Sequence, residues 1–404
     1  MSKPSYIQAY RLKGMHHVIG LMSGTSLDGV DGVLVEITSD PAGQVTAIRV
    51  LDRETLDYSP EVRERVNDLC TPGKADIRDV NAAHAALAHW NAVVVNELKA
   101  RSPFPIDVVG MHGQTVWHEP TGVPFPLPGG SSPVTATLQL SNPQVLSSLT
   151  LLPVISDFRS ADMAVGGQGA PLAPYIDHLL FAQEGMGVAV QNIGGIGNVT
   201  VLARGGGADE IFAFDTGPGN MIIDAVVGWG SEGRLRYDDE GRIAATGAVD
   251  RELLTSLMGD PYFAKSPPKS TGREVYGEAF VSEFIQRALV RGLSYADIVA
   301  TATAFTAQSI VDAYRDFVLP VTALDRVVVC GGGARNKTLV AMISDGLESE
   351  VVTSTELGVL DTDREAMAFA LLAHASMMGT PSNIPRVTGA SRPMVLGTIT
   401  MEYL

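Results

Sequence analysis

Gly20-Leu21-Met22-Ser23-Gly24-Thr25-Ser26-Leu27-Asp28-Gly29-Val30-Asp31 is the stretch that decides the fold. His17–Met22 is an apolar run of strand length, Ser23–Gly29 a glycine turn, and Val30–Ile37 a second β-branched run. Strand, glycine turn, strand reads as a hairpin and not as a βαβ unit. The pattern restarts near the middle of the chain, with Gly187–Asn192, the turn Ile193–Asn198 and the returning run Val199–Ala203. Two such hairpins predict a weak internal duplication, with two lobes each built on a hairpin sheet.

Outward from these hairpins, short β-branched runs alternate with long helical patterns, the signature of an α/β protein. Ser59-Pro60 opens one helix, as an N-cap followed by proline. A second, alanine-rich helix runs from Asp76 to about Lys99. Ile106–Met111 reads as a buried strand, Glu119–Pro133 as a Pro/Gly/Ser-rich surface loop, and Ile211–Phe214 and Arg326–Cys330 as strands entering glycine turns. The expected organisation is a flexible lead-in over 1–16, a first lobe over 17–150 to which 380–404 returns, and a second lobe over 151–379.

Of the 404 residues, 45% are hydrophobic and only 18% charged, which excludes disorder. The net charge of −16, with no Lys/Arg run, argues against nucleic acid and acidic membrane surfaces as partners. No stretch approaches the ~20 apolar residues of a membrane span. Neither a signal peptide nor a C-x-x-C pair is present, so a soluble cytoplasmic protein is expected.

Four glycine-rich turns end predicted strands: Ser23–Gly29, Ile193–Asn198, Asp215–Asn220 and Gly331–Asn336. Glycine lets backbone N–H groups converge on an anion, and open α/β sheets place ligands at strand ends. The P-loop and the G-x-G-x-x-G fingerprint are both missing, which leaves nucleotide binding on the actin/hexokinase/Hsp70 plan. Asp215, at the tip of an apolar strand, suits either a base for phosphoryl transfer or a cap for the helix that follows. In His112-Gly113-Gln114-Thr115, Gln114 suits a sugar hydroxyl and Trp117 a stacking face, while His112 reads as an ordinary turn residue. Gln168 faces either a ligand or its own turn. Arg159 has a local ion pair with Asp157 as its default reading. Glu365 begins the final helix, where an acid also suits the helix dipole.

Seven ordered motifs carry a family resemblance: Gly20–Gly29, His112–Thr115, Gly166–Pro171, Asn192–Gly195, Phe214–Asn220, Lys269–Glu274 and Cys330–Gly333. In this order they resemble the signatures of the anhydro-N-acetylmuramic acid kinases, from about residue 17 to the C-terminus. The resemblance implies a two-lobed, ribonuclease H-like fold with a central nucleotide cleft. It also implies an ATP- and Mg²⁺-dependent reaction that opens a 1,6-anhydro sugar and phosphorylates O6. Asp215 matches the family's general base. Gly24, Thr25, Ser26, Leu27, Asp28, Gly29, Val30 and Asp31 match the first ATP-phosphate segment, Gly194 and Gly195 the second, and Gly331, Gly332 and Gly333 the adenosine side. Gln114, Trp117, Arg159 and Gln168 are the substrate candidates, and Glu365 with Asp215 the metal candidates.

Three features depart from the muramyl-type pattern. Asp157-Phe158-Arg159-Ser160 lacks the Arg-rich run, Trp117 stands where arginine is common, and Thr121–Pro133 is extra. Fewer cations suit a neutral sugar, and these features resemble the levoglucosan kinase branch. The sequence therefore leaves two substrates open, 1,6-anhydro-N-acetylmuramic acid and levoglucosan, and leaves a homodimer open as well. A nucleotide-gated binding protein of the actin/Hsp70 type is the alternative from another functional class.

Overall fold

The computed structural model of the chain describes residues 5–24 and 27–401. It divides into two compact units, Met1–Leu179 with Thr362–Leu404, and Leu180–Asp361. The first boundary thus lies beyond the expected 150, because the strand Val154–Ser156 joins the first sheet. The return to the first unit begins at Thr362, ahead of the expected 380.

In the first unit, β1 (Met15–Ser23) pairs antiparallel with β2 (Gly29–Ser39), which pairs antiparallel with β3 (Val45–Asp57). On its other side β1 runs parallel to β4 (Val108–Leu127). β5 (Gly130–Leu140) folds back on β4, and β6 (Val154–Ser156) lies parallel to it. The spatial order is β6-β4-β1-β2-β3, with the closing strand Thr398–Thr400 outside β6.

The second unit repeats this order. β7 (Val188–Ile193), β8 (Ile196–Leu202) and β9 (Phe212–Pro218) form an antiparallel meander, and β10 (Arg326–Cys330) and β11 (Glu350–Thr353) continue it in parallel as β11-β10-β7-β8-β9. The weak sequence duplication is therefore a duplication of topology, and it is the strand order of the ribonuclease H-like, actin/hexokinase/Hsp70 fold.

β3 has no counterpart in the sequence reading. Its partly buried Val45, Ile48 and Leu51 are interleaved with charges such as Arg49, Asp52 and Arg53. An edge strand uses charge in this way to discourage further pairing, and the charges mask the apolar alternation. The expected loop at 119–133 is also strand. β4 and β5 form a ribbon closed by Pro128-Gly129, with Gly129 at φ +99°. Counting from the Leu127–Gly130 closing pair, Pro124 and Pro126 fall at non-hydrogen-bonded rungs, where no N–H is needed.

The helix Asp361–Met378 lies directly on the first sheet. Gly20 and Gly110 are register partners on β1 and β4. A Cβ on Gly20 would stand 2.0 Å from Ala366 O, and one on Gly110 2.0 Å from Phe369 O. This glycine pair is the notch that lets helix backbone meet sheet backbone.

Over its described residues, 5–16, the expected flexible lead-in is structured instead. Ser5 and Gln8 form a capping box for the helix Tyr6–Arg11. Tyr10 is buried, with its hydroxyl 2.9 Å from His374 Nδ1 and its ring stacked on His16. Among the described residues His374 Nε2 has no hydrogen-bond partner. Burial, with His16 nearby, holds the pKa of His374 down at about 3. The unfolded chain, titrating near 6.5, binds a proton that the folded state refuses. Stability from this site is therefore complete above pH ~6.5 and is lost as pH falls toward 3, by up to about 1.4 kcal/mol per pH unit. Melting temperatures should drop between pH 6.5 and 5. They should drop less in His374→Gln, which keeps a partner for Tyr10 and removes the titration.

Candidate active site

Three of the four glycine turns converge within the second unit. The carbonyls of Gly194 and Gly195 accept the N–H groups of Asn220 and Gly219, at 2.7 and 2.9 Å. Asn220 Nδ2 donates to Ile193 O at 3.1 Å. A Cβ on Gly331 would meet Asn192 Oδ1 at 2.7 Å, and one on Gly333 would meet Ile193 Cγ2 at 2.4 Å. Gly332 borders Asn220, and Asp361 Oδ1 accepts the Gly331 N–H. Packing of turn on turn therefore accounts for Gly331 and Gly333. It does not account for Gly194 and Gly195, whose added Cβ atoms would find nothing closer than 3.8 Å. Open space above two adjacent glycines is what a phosphate-binding backbone requires.

Asp215 sits in this unit, partly buried, in the middle of β9, because the strand continues past the expected tip at Phe214 to Pro218. It does not cap the following helix, whose N-cap is Gly219 without any side-chain hydrogen bond. Its Oδ2 instead accepts the Thr271 N–H at 3.0 Å. Burial pushes its pKa up, the Thr271 N–H opposes this, and the Glu274 charge adds to the rise. A carboxylate raised in this way is a better proton acceptor than one in water.

The fourth turn, between β1 and β2, belongs to the first unit. Thr25 and Ser26 lie outside the described residues; Gly24, Leu27, Asp28, Gly29, Val30 and Asp31 are described. Leu27 adopts φ +56°. Asp31 accepts the Thr55 hydroxyl at 2.6 Å, yet burial and the charges of Asp28, Asp57 and Asp363 raise its pKa. Glu365 is raised by burial and by Asp31 and Asp28. Carboxylates that repel one another beside a glycine turn fit a divalent cation that would relieve the repulsion. Among the described residues no three His, Cys, Asp or Glu side chains form a metal cage. Mg²⁺ needs none, since it is held by one or two carboxylates together with nucleotide phosphates. The second metal candidate, Asp215, belongs to the other unit.

The substrate candidates divide. Gln114 is buried, and its Nε2 donates to Gly24 O at 3.1 Å, so its amide anchors the first glycine turn; among the described residues Oε1 has no partner. Trp117 is exposed opposite Leu138 on the ribbon. Successive strand residues face opposite sides, and it is the next one, His118, whose ring reaches the Gln168 backbone. Trp117 therefore faces away from the Arg159–Gln168 loop, and His118 takes the place expected of it.

Arg159 does not pair with Asp157, which accepts the Ser160 N–H instead. Its guanidinium donates to His112 Nε2 at 3.0 and 3.2 Å and to Gly169 O at 2.8 Å. A guanidinium can only donate, so His112 Nε2 carries a lone pair and the proton is on Nδ1. Burial, aided by Arg159, holds the His112 pKa down at about 3, so the ring stays neutral. Among the described residues no carboxylate pairs with Arg159, and burial lowers its own pKa. A largely desolvated cation without a counter-ion is a site for an anion.

Gln168 is exposed at the crest of a rigidly built loop. The wholly buried Asp162 accepts from Gly169 N, Asn383 Nδ2 and Thr388 Oγ1, at 2.8, 2.6 and 2.7 Å. Gln168 N–H also donates to Thr388 O. The roles of His112, His118 and Asp162 carried no sequence signal, since each depends on partners brought in by folding.

A family model described as anhydro-N-acetylmuramic acid kinase matches residues 16–402. The anhydro-N-acetylmuramic acid kinase of Caldanaerobacter subterraneus is 40% identical over 388 residues, covering 95% of this chain and 96% of its own. That of Salinibacter ruber is 40% identical over 391 residues, with coverage of 95% and 96%. That of Clostridioides difficile is 37% identical over 389 residues, with coverage of 95% and 97%.

Proposed function

The chain belongs to the anhydro-N-acetylmuramic acid kinase family, and from that premise we propose that it converts 1,6-anhydro-N-acetylmuramic acid, water and ATP into the sugar 6-phosphate and ADP. Asp215 takes a proton from the water that attacks the anomeric carbon. The C1–O6 bond breaks as the new C1–O bond forms, and O6 accepts the γ-phosphoryl group. The backbone at Gly24–Asp31 and at Gly194–Gly195 binds the phosphates. Glu365 and Asp31 are the carboxylates that would hold Mg²⁺, whose chemistry is to neutralise phosphate charge during transfer. Gln168 orients the sugar.

The observation that carries the choice of sugar is Arg159. The lactyl group of muramic acid has a carboxylate, and Arg159 is a partly buried guanidinium that pairs with none among the described residues. The missing arginine run had favoured levoglucosan, but this single cation, prepared by His112 and Gly169, supports the muramyl sugar. The test is a coupled ADP-release assay with both sugars. The muramyl sugar should be turned over with the higher kcat/KM, and Arg159→Gln should raise its KM roughly 30-fold, worth about 2 kcal/mol for a charge-assisted contact, while leaving levoglucosan unaffected. Preference for levoglucosan by the unaltered protein would overturn the choice. Absence of sugar-stimulated ADP release would favour the nucleotide-gated binding protein.

A further inference from the structure

The motif Lys269-Ser270-Thr271-Gly272-Arg273-Glu274 has no part in the reaction above, yet its backbone grips Asp215 on two sides. Asp215 N–H donates to Lys269 O at 3.1 Å. Two residues on, Thr271 N–H donates to Asp215 Oδ2 at 3.0 Å. The arrangement copies a rung of a β-ladder, with the carboxylate in place of a second carbonyl. From a third direction Tyr262 Oη donates to Asp215 O at 2.6 Å. The N–H, the C=O and one carboxylate oxygen are thus all fixed. Oδ1 alone has no partner among the described residues.

The segment is itself pinned by an unusual lysine. Lys269 is buried and makes no ion pair among the described residues. Its Nζ donates to Phe263 O at 3.2 Å. It lies 4.4 Å from the Phe317 ring centroid, 4.9 Å from that of Tyr262 and 5.8 Å from that of Phe214. Ring faces and carbonyls replace the water around the ammonium, an attraction that an apolar side chain of equal length would not have. The cage joins three pieces of the second unit: the turn at 262–263, strand β9 at Phe214, and the helical turn Tyr314–Val318 at Phe317.

We infer that Lys269 and Thr271 are positioning residues: the caged ammonium fixes the segment, and the Thr271 amide holds Oδ2 so that Oδ1 of Asp215 is the oxygen presented to the reacting water. This inference rests on the assignment of Asp215 as the base.

Kinetics of four variants test it. Thr271→Pro deletes the N–H and leaves the carboxylate intact; kcat should fall about 100-fold, with the KM for ATP and for the sugar within threefold of the parent. Thr271→Ala keeps the N–H and should keep at least half of kcat. Lys269→Met fills the cage without charge and should lower kcat about tenfold, again without moving KM. Independently of turnover, hydrogen exchange at the Thr271 amide should be slow in the parent and fast in Asp215→Ala. If Thr271→Pro does not fold, Lys269→Met and the exchange rate decide. Parental kcat in Thr271→Pro or Lys269→Met, equal loss in Thr271→Ala and Thr271→Pro, or unchanged exchange in Asp215→Ala would each overturn the inference. Asp215→Asn in the same assay separates the two readings. An active Asp215→Asn removes the base assignment, whereas an inactive one beside a fully active Thr271→Pro removes the positioning alone.

Discussion

Asp215→Asn should lose at least about 10³-fold in kcat, or about 4 kcal/mol of barrier lowering, because general-base catalysis by this side chain disappears while its volume stays. The surroundings are suited to a clean substitution. The asparagine carbonyl oxygen can still accept the Thr271 N–H, and Tyr262 still holds the backbone carbonyl. Folding and nucleotide affinity should therefore be close to those of the parent. Calorimetric titration with a non-hydrolysable ATP analogue should give a Kd within about threefold, which is under 1 kcal/mol. Retention of more than a tenth of kcat would show that the proton goes elsewhere.

The largest structural effect is expected at Gly110. An added Cβ would stand 2.0 Å from Phe369 O and 2.7 Å from Phe369 C, and neither atom belongs to a side chain that can swing away. The helix Asp361–Met378 must shift bodily or part from the sheet. Such overpacking costs at least about 3 kcal/mol, which for a unit of this size lowers the melting midpoint by roughly 10 °C. Gly110→Ala should also reduce turnover, because Glu365 rides on the same helix. Gly228→Ala is the control. Its Cβ would meet nothing nearer than 3.8 Å, and alanine in a helix should leave stability unchanged or raise it by about 0.5 kcal/mol. Equal melting midpoints for Gly110→Ala and the parent would contradict the notch.

What the sequence disclosed and withheld follows a physical line. The hairpins and the strands into glycine turns were legible because buried strands are nearly all apolar: Val327, Val328, Val329 and Cys330 have essentially no exposure. β3 was hidden because charges such as Arg49, Asp52 and Arg53 break up its apolar positions. The β4–β5 ribbon was hidden because proline and glycine suggest loops, although proline is tolerated at every second rung. In the site, Asp215 stood out as the acid that follows the apolar run Ile211–Phe214, although β9 continues through it to Pro218. His112, His118 and Asp162 did not, because a buried polar residue is defined by the partners folding brings to it, such as Thr388 on Asp162, 226 positions away. The direction of Trp117 was hidden for a simpler reason: a bulge between Thr115 and Trp117 sets which of two adjacent residues turns inward, and composition does not reveal bulges.

The ribbon closed by Pro128-Gly129 has a practical consequence. Val123, Phe125 and Leu127 near its end are 51%, 60% and 45% exposed. The native thiols are poorly reactive by comparison: Cys330 is buried, and burial raises the pKa of the half-buried Cys70. A cysteine engineered at position 129 would thus be the preferred target for maleimide coupling, giving the first unit a defined point for a dye or surface tether.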